Sequence, residues 1–169
     1  VAIDIMIGLA MMVVIITGGL NLSLGALGVA TAMFGGWCME ILQIPIIPSI
    51  FLILIMGLFL GWINGYITVK TGVHSFIVTL ATMSIYFGLM TMLTKAEAFR
   101  RLPEAFTDFG SMKLFNKYIS PLLLVSVTMC FLLFYFFKYT DLGRKLVAAG
   151  ANPEAAELSG ISVNRMFIY

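Results

Sequence analysis

The sequence has 169 residues, of which 61% are apolar and only 11% are charged. A soluble domain carries about 25% charged and about 45–50% apolar residues, and a chain of this size cannot bury such an excess. The net charge of +2 is too small to indicate nucleic-acid binding. Long apolar runs that do not alternate with polar residues, such as 46–60, exclude a closed β-barrel. The composition therefore predicts an all-α, polytopic transmembrane helical bundle.

Five apolar segments follow one another along the chain, at about 3–18, 23–42, 46–68, 73–94 and 119–138. Each is near the roughly 20 residues that a spanning helix needs. A sixth segment is predicted to begin near residue 163. The sequence opens inside one apolar run and stops inside another, so we expect residues 1–169 to form a single transmembrane domain that is truncated at both ends.

The first two segments are separated only by residues 18–23. Gly18 and Gly19 loosen the helix, and Asn21 or Ser23 can cap the helix that follows. One interpretation is a broken helix within the membrane, which is tolerated only where protein or a wet cavity satisfies the backbone. The other is a tight turn at the membrane surface. The residue types at 18–23 do not favour one interpretation over the other.

Glycines at intervals of four occur in two of the segments. Gly57, Gly61 and Gly65 fall on one helix face, where backbones can approach closely. Gly28, Ala32 and Gly36 repeat this spacing in the second segment. Both sets predict helix-packing seams in a compact bundle.

Residues 95–118 form the only long polar stretch between predicted spans, and their charges of both signs indicate a solvated loop. Basic residues are equally numerous on the two sides of the predicted topology. One side carries Lys70, Lys138, Arg144, Lys145 and Arg165, and the other carries Lys95, Arg100, Arg101, Lys113 and Lys117. The excess of basic residues that marks the cytoplasmic side is therefore absent, and charge does not orient the chain.

After Lys138 the sequence becomes polar, beginning with the basic juxtamembrane strip 141–145. Asn152 suits an N-cap, Pro153 the first helical position, and Gly160 the position just past a helix end. Glu154 would lie in the first turn, where the helix dipole favours negative charge. A helix of about two turns is unstable alone, so it must dock on its own protein or on a partner.

Three stretches in order resemble the ribose-type sugar and autoinducer-2 permeases of ABC importers: 18–25 (GGLNLSLG), 64–82, and 143–161 with its NPEAA core and SGI end. The sequence departs from the family pattern at Asn21, where an Asp is usual, and at His74-Ser75, where Pro-Pro is common. Any role that needs a carboxylate at Asn21 is therefore in doubt. The resemblance orients the chain, with the short helix in the cytoplasm and residues 95–118 facing outward in the inner (plasma) membrane.

The resemblance implies a permease subunit that is not an enzyme and binds no cofactor itself, with ATP on a separate ATPase subunit. A second permease subunit and an extracytoplasmic solute-binding protein are the other implied protein partners. The implied ATPase-coupling residues are Asn152, Pro153, Glu154, Ala155, Ala156, Glu157, Leu158, Ser159 and Gly160.

Polar groups along the spans are candidates for a path that carries a monosaccharide or similar small solute. These candidates are Gly18 and Gly19 at the break, together with Asn21, Ser23 and Asn64. Asn64 is interpreted mainly as a partner for neighbouring backbone or helices, and Asn21 stays open between the two roles.

No metal-ligand cluster or nucleotide-binding motif is present in the sequence. Cys38 and Cys130 are isolated in apolar segments and are expected to be packing residues, and the lone His74 is expected to be structural. An ATP-independent secondary transporter or channel is the alternative function, although it predicts an ionisable residue in mid-span, and none is evident.

Overall fold

The computed structural model describes residues 1–95, 99, 102–111, 120–163 and 166. All regular structure within these residues is helical. The helices are α1 (Ala2–Ile16), α2 (Leu24–Glu40), α3 (Ile46–Thr71), α4 (Ser75–Thr94), α5 (Glu104–Ser111), α6 (Pro121–Tyr139), α7 (Asp141–Ala151) and α8 (Pro153–Leu158). The predicted all-α fold is confirmed.

Three of the described helices, α3, α4 and α6, are long and apolar enough to cross a membrane. The first two predicted segments form shorter helices of 15 and 17 residues. The predicted start near residue 163 lies almost entirely outside the described residues.

Helices α1 to α4 alternate in direction, so that the chain returns to one end of the bundle. At this end, called here the α7 end, lie the break between α1 and α2, the turn between α3 and α4, and the whole of α7 and α8. Gly72, with a φ of +66°, ends α3, and His74 Nδ1 accepts the Phe76 N–H at 3.3 Å to cap α4. His74 is thus a helix cap, as expected of a structural histidine.

Packing divides the helices into two groups. In the first, α2 packs on both α3 and α4, and its core contains Leu27, Ala30, Tyr86 and Met90. In the second, α1 packs on α6 and α7, and α8 packs on α7. Between these groups the described residues show substantial packing only where α1 meets α2, next to the break.

Two helices were not predicted. The stretch 95–118, interpreted as a solvated loop, contains α5, whose Pro103 carbonyl accepts the Phe106 N–H at 2.9 Å at the helix start. The charged residues Glu97, Arg100, Arg101, Lys113 and Lys117 of that stretch lie outside the described residues.

The second unpredicted helix is α7, which includes the strip 141–145. Thr140 caps it by accepting the Gly143 N–H at 3.1 Å, and Asp141 lies in its first turn. The signal was therefore present in the sequence as a Thr-Asp start, but Gly143 and Gly150 lower the helix propensity of this segment.

Candidate functional site

The break at residues 18–23 begins with a C-terminal capping motif that ends α1. Gly18 adopts the left-handed conformation with a φ of +77°. Its N–H donates to the Ile15 carbonyl at 2.9 Å, and the Gly19 N–H donates to the Val14 carbonyl at 3.1 Å. These two bonds form a Schellman motif, in which a residue with positive φ closes the helix. Gly18 is therefore required by the backbone conformation.

The next helix starts from a side-chain turn made by Asn21. Its Oδ1 accepts both the backbone N–H of Ser23, at 2.9 Å, and the Ser23 hydroxyl, at 2.7 Å. Ser23 occupies the N-cap position of α2, yet its side chain makes no capping bond. Of the two predicted caps, Asn21 is the one that organises the start of α2.

Ser23 connects this turn to two other helices. Its Oγ accepts the Asn64 side-chain N–H at 2.8 Å, and the Tyr86 hydroxyl lies 3.1 Å from Asn64 Oδ1. The same hydroxyl lies 3.1 Å from the Leu60 carbonyl and can donate to either oxygen. Ser23 is fully buried and Asn64 is 4% exposed. The network therefore joins the break to α3 and α4 away from solvent, which supports the structural interpretation of Asn64.

Two hydroxyls near the start of α4 hold the non-helical backbone in place. Ser75 Oγ accepts the Leu20 N–H at 2.9 Å, and Thr79 Oγ1 accepts the Leu22 N–H at 3.2 Å. Such bonds satisfy backbone groups that a helix would otherwise pair internally. The sequence marked Ser75 and Thr79 only within the resembling stretch 64–82 and not as site residues. Ser75, Thr79, Thr82 and Tyr86 follow the three- and four-residue spacing of one helix face, which is a detectable signal.

The two ends of the break lie at different depths in the bundle. Asn64 is seven residues before the end of α3, which corresponds to about 10 Å along the helix axis. Because Ser23 is bonded to Asn64, the start of α2 lies at this depth. The start of α2 is therefore set back from the α7 end, whereas Leu20 is bonded to Ser75, the first residue of α4, at that end.

A cavity of about 420 Å³ opens beside the break. This volume falls within the roughly 300–1,000 Å³ typical of small-molecule sites. The lining combines backbone and glycines of the break, polar side chains and an apolar remainder: Val14, Thr17, Gly18, Gly19, Leu20, Asn21, Gly61, Asn64, Gly65, Thr68, Val69, Gly72, Val73, His74, Ser75 and Thr79. No lining residue is Asp, Glu, Lys or Arg. The cavity can therefore offer hydrogen bonds to a neutral polar molecule.

Of the glycines predicted to form a packing seam on α3, Gly57 contacts another helix. An added Cβ there would lie 3.6 Å from Thr31 Cγ2 on α2. Nothing lies within 4 Å of a Cβ at Gly61, which lines the cavity with Gly65. Among the described residues only Gly57 of the predicted set is thus shown in contact with another helix, and packing at Gly61 and Gly65 stays a prediction. Spacing identifies a helix face but does not determine what that face meets.

On α2 the predicted seam is displaced. Gly28 has no neighbour within 4 Å of an added Cβ and, like Ala32, is exposed. The close approaches are at Gly35, which faces the Ile53 side chain, and at Gly36, where a Cβ would lie 2.7 Å from the Phe99 ring. Only Gly36 of the predicted set therefore lies in a tight contact.

The predicted caps of the short helix α8 are confirmed. Asn152 Oδ1 accepts the Ala155 N–H at 3.0 Å, and Pro153 takes the first helical position. Gly160 has a φ of +82°, its N–H donates to the Glu157 carbonyl at 2.9 Å, and the Ile161 N–H donates to the Ala156 carbonyl at 3.0 Å. This is a second Schellman motif, and both ends of α8 are fixed.

One face of α8 packs against α7 and against the residues that follow α8. Ala156 packs with the buried Ala149 of α7 and with Val163, and Ile161 covers this cluster. The opposite face is open: Leu158 is 91% exposed, directly after the exposed Glu157 and one turn after the exposed Glu154. A leucine so exposed on a rigidly capped helix gives α8 an apolar and acidic surface.

The start of α7 carries charges outside the spans. Lys145 hydrogen-bonds to Asp141 and attracts its charge, which lowers the pKa of the Asp141 carboxyl. Arg144 lies 4.0 Å from the same carboxylate. Asp141 is therefore ionised at neutral pH, at the helix end where the dipole favours a negative charge.

The apolar helices, the helix break and the short capped helix at one end are features of a multi-pass membrane protein. Residues 1–169 match the family described as "branched-chain amino acid transport system / permease component", and the chain belongs to this family.

Curated relatives agree with this assignment. The chain is 29% identical to the ribose import permease protein RbsC of Haemophilus influenzae over 99% of its own length and 52% of the relative. It is 32% identical to the autoinducer 2 import system permease protein LsrD of Photorhabdus temperata over 96% of its length and 50% of the relative. The chain thus spans about half the length of the curated relatives it matches. No solved structure matches it.

Proposed function

We propose that the chain forms part of the permease subunit of an ATP-driven, binding-protein-dependent importer in the inner membrane. Its solute would be a monosaccharide or a similar small neutral molecule. The observation that carries the proposal is the open face of α8, where Leu158 is 91% exposed on a helix whose other face is fixed to α7. Membership of the permease family and the similarity to ribose and autoinducer 2 permeases support it.

In this proposal α8 is the docking element for a cytoplasmic ATPase. A side chain as large as leucine contributes about 1.5–3 kcal/mol when it is moved from water into an apolar pocket. Leu158 would be such an anchor, and Glu154 and Glu157 would meet basic groups of the partner. Because both ends of α8 are capped, little conformational entropy is lost on docking.

The cavity beside the break is the proposed part of the solute path in this chain. Asn21, Ser75 and Thr79 supply polar groups there without charge, which suits a hydroxylated neutral solute. Gly18 and Gly19 place backbone against the same space. A second permease subunit and a solute-binding protein on the outer side complete the proposed importer.

The test uses the whole subunit, co-expressed with an ATPase and a binding protein, to be sought among the neighbouring genes. L158S should reduce recovery of the ATPase with the permease by about tenfold, because an anchor worth about 1.4 kcal/mol or more is lost. L158M, which keeps the apolar volume, is the matched control and should retain the complex.

Uptake of labelled ribose and of autoinducer 2, measured in proteoliposomes with ATP inside, tests the solute class. Uptake that depends on both ATP and the binding protein is the expected result. Solute movement by the permease without an ATPase would instead favour the secondary transporter or channel.

A further inference from the structure

Gly150 of α7 lies directly against the end of α1. An added Cβ would overlap the carbonyl oxygen of Ile16, and would come within 2.8 Å of the Ile16 carbonyl carbon and 3.0 Å of Thr17 Cα. All three are backbone atoms, which cannot move aside as the tip of a flexible side chain can. Because Gly150 does not need a positive φ, this contact is the reason for a glycine here. Only the absence of a side chain lets α7 and α1 approach this closely.

The segment that Gly150 touches is held on its other side by α4. Three residues beyond Thr17, the Leu20 N–H is bonded to Ser75 Oγ, and the Leu22 N–H is bonded to Thr79 Oγ1. Residues 16–22, called here the joint, are therefore held between α7 and α4. Gly18 to Asn21 of the joint also line the cavity.

The joint lies where the two packing groups meet. The group of α1, α6, α7 and α8 contacts the group of α2, α3 and α4 substantially only through α1 and α2, in the part of the chain that the structure describes. A displacement of α8 within its group would reach the second group at this place. Closely packed contacts transmit such displacements because they do not compress.

We infer that Gly150 is a positioning residue that transmits movement of α7 and α8 to the cavity wall through the backbone of residues 16–18. The inference rests on the proposed function, since it requires an ATPase that moves α8. It adds the route by which that movement reaches the cavity. The Gly150 carbonyl oxygen lies 3.7 Å from the Cβ position of Gly18, so the contact extends to a residue of the cavity lining itself.

Hydrogen exchange in the whole complex tests the route, with the nucleotide-free state compared with the ATP–vanadate state. Four joint amides report on it: those of Gly18, Gly19, Leu20 and Leu22, each of which has a defined acceptor. In the wild type we expect ATP–vanadate to change the amide exchange rates at least about threefold, both in α8 and in the joint. The reason is that the free energies of local opening differ between the two states. A change confined to α8 would overturn the inference, whether or not any variant folds.

G150A should keep the nucleotide response of α8 and the copurifying ATPase but lose the response of the joint. The matched control is G88A in α4, where an added Cβ meets nothing within 4 Å, and this variant should keep both responses. A joint response that persists in G150A would overturn the role of Gly150. Absence of an ATPase, or of any response of α8 in the wild type, would instead contradict the proposed function.

Discussion

The side-chain N–H of Asn64, within α3, donates to the hydroxyl of Ser23, the residue immediately before α2, at 2.8 Å. This bond fixes the depth of the helix break relative to α3. Tyr86 extends the link to α4 through Asn64 Oδ1. One amide thus connects three helices beside the cavity.

Replacing Asn64 by the isosteric leucine should destabilise the bundle by about 1–2 kcal/mol, because it leaves the buried Ser23 and Tyr86 hydroxyls with fewer partners. Y86F should cost less, about 0.5–1.5 kcal/mol. Unfolding in detergent would measure both. The double variant should cost less than the sum, since the residues share one network; additive losses would show that the network is not coupled.

Asn21 provides a different test, because its Oδ1 acts as an acceptor for two donors of Ser23. N21D keeps an acceptor at this position and places a negative charge at the start of α2, where the helix dipole favours it. Its stability should stay within about 0.5 kcal/mol of the wild type. N21L should lose about 1 kcal/mol, as a lost cap does. Equal stability of the two variants, measured by unfolding in detergent, would contradict the assigned turn.

The caps of α8 predict local effects. N152A removes the acceptor of the Ala155 N–H, and G160A forces a side chain into the left-handed region, each at a cost of about 1 kcal/mol. Amide exchange in 155–161 should accelerate about fivefold in either variant, while α3 and α4 stay protected. E154Q, which leaves both caps intact, is the control. Unchanged exchange in G160A would mean that the Schellman motif does not hold the end of α8.

Topology can be tested by alkaline-phosphatase fusions. A fusion at Glu104, in α5, should be active, and one at Val73, in the turn between α3 and α4, should be inactive, because a single span separates these positions. The ratio of enzyme activity to expressed protein is the measurement. The reverse pattern would invert the orientation and place α8 outside the cell.

Some features followed from the sequence because they depend on local chemistry. Apolar segment lengths predicted the helical bundle, and the residue types at Asn152, Pro153 and Gly160 predicted both ends of α8. The glycines at 18 and 19 likewise predicted the break after α1. Caps, turns and helix stops are set by residues within a few positions of each other, so the chain carries their signal directly.

Only the tertiary structure decided which of these elements meet. Asn64 and Ser23 are 41 positions apart, and spacing alone did not show that they bond. Gly61, predicted to pack, lines the cavity, while Gly150, for which the sequence predicted no contact, lies against Ile16. Helix periodicity identifies a face, but the partner of that face depends on how whole helices pack around one another. In this protein the joint between α7 and α4 is a product of that packing.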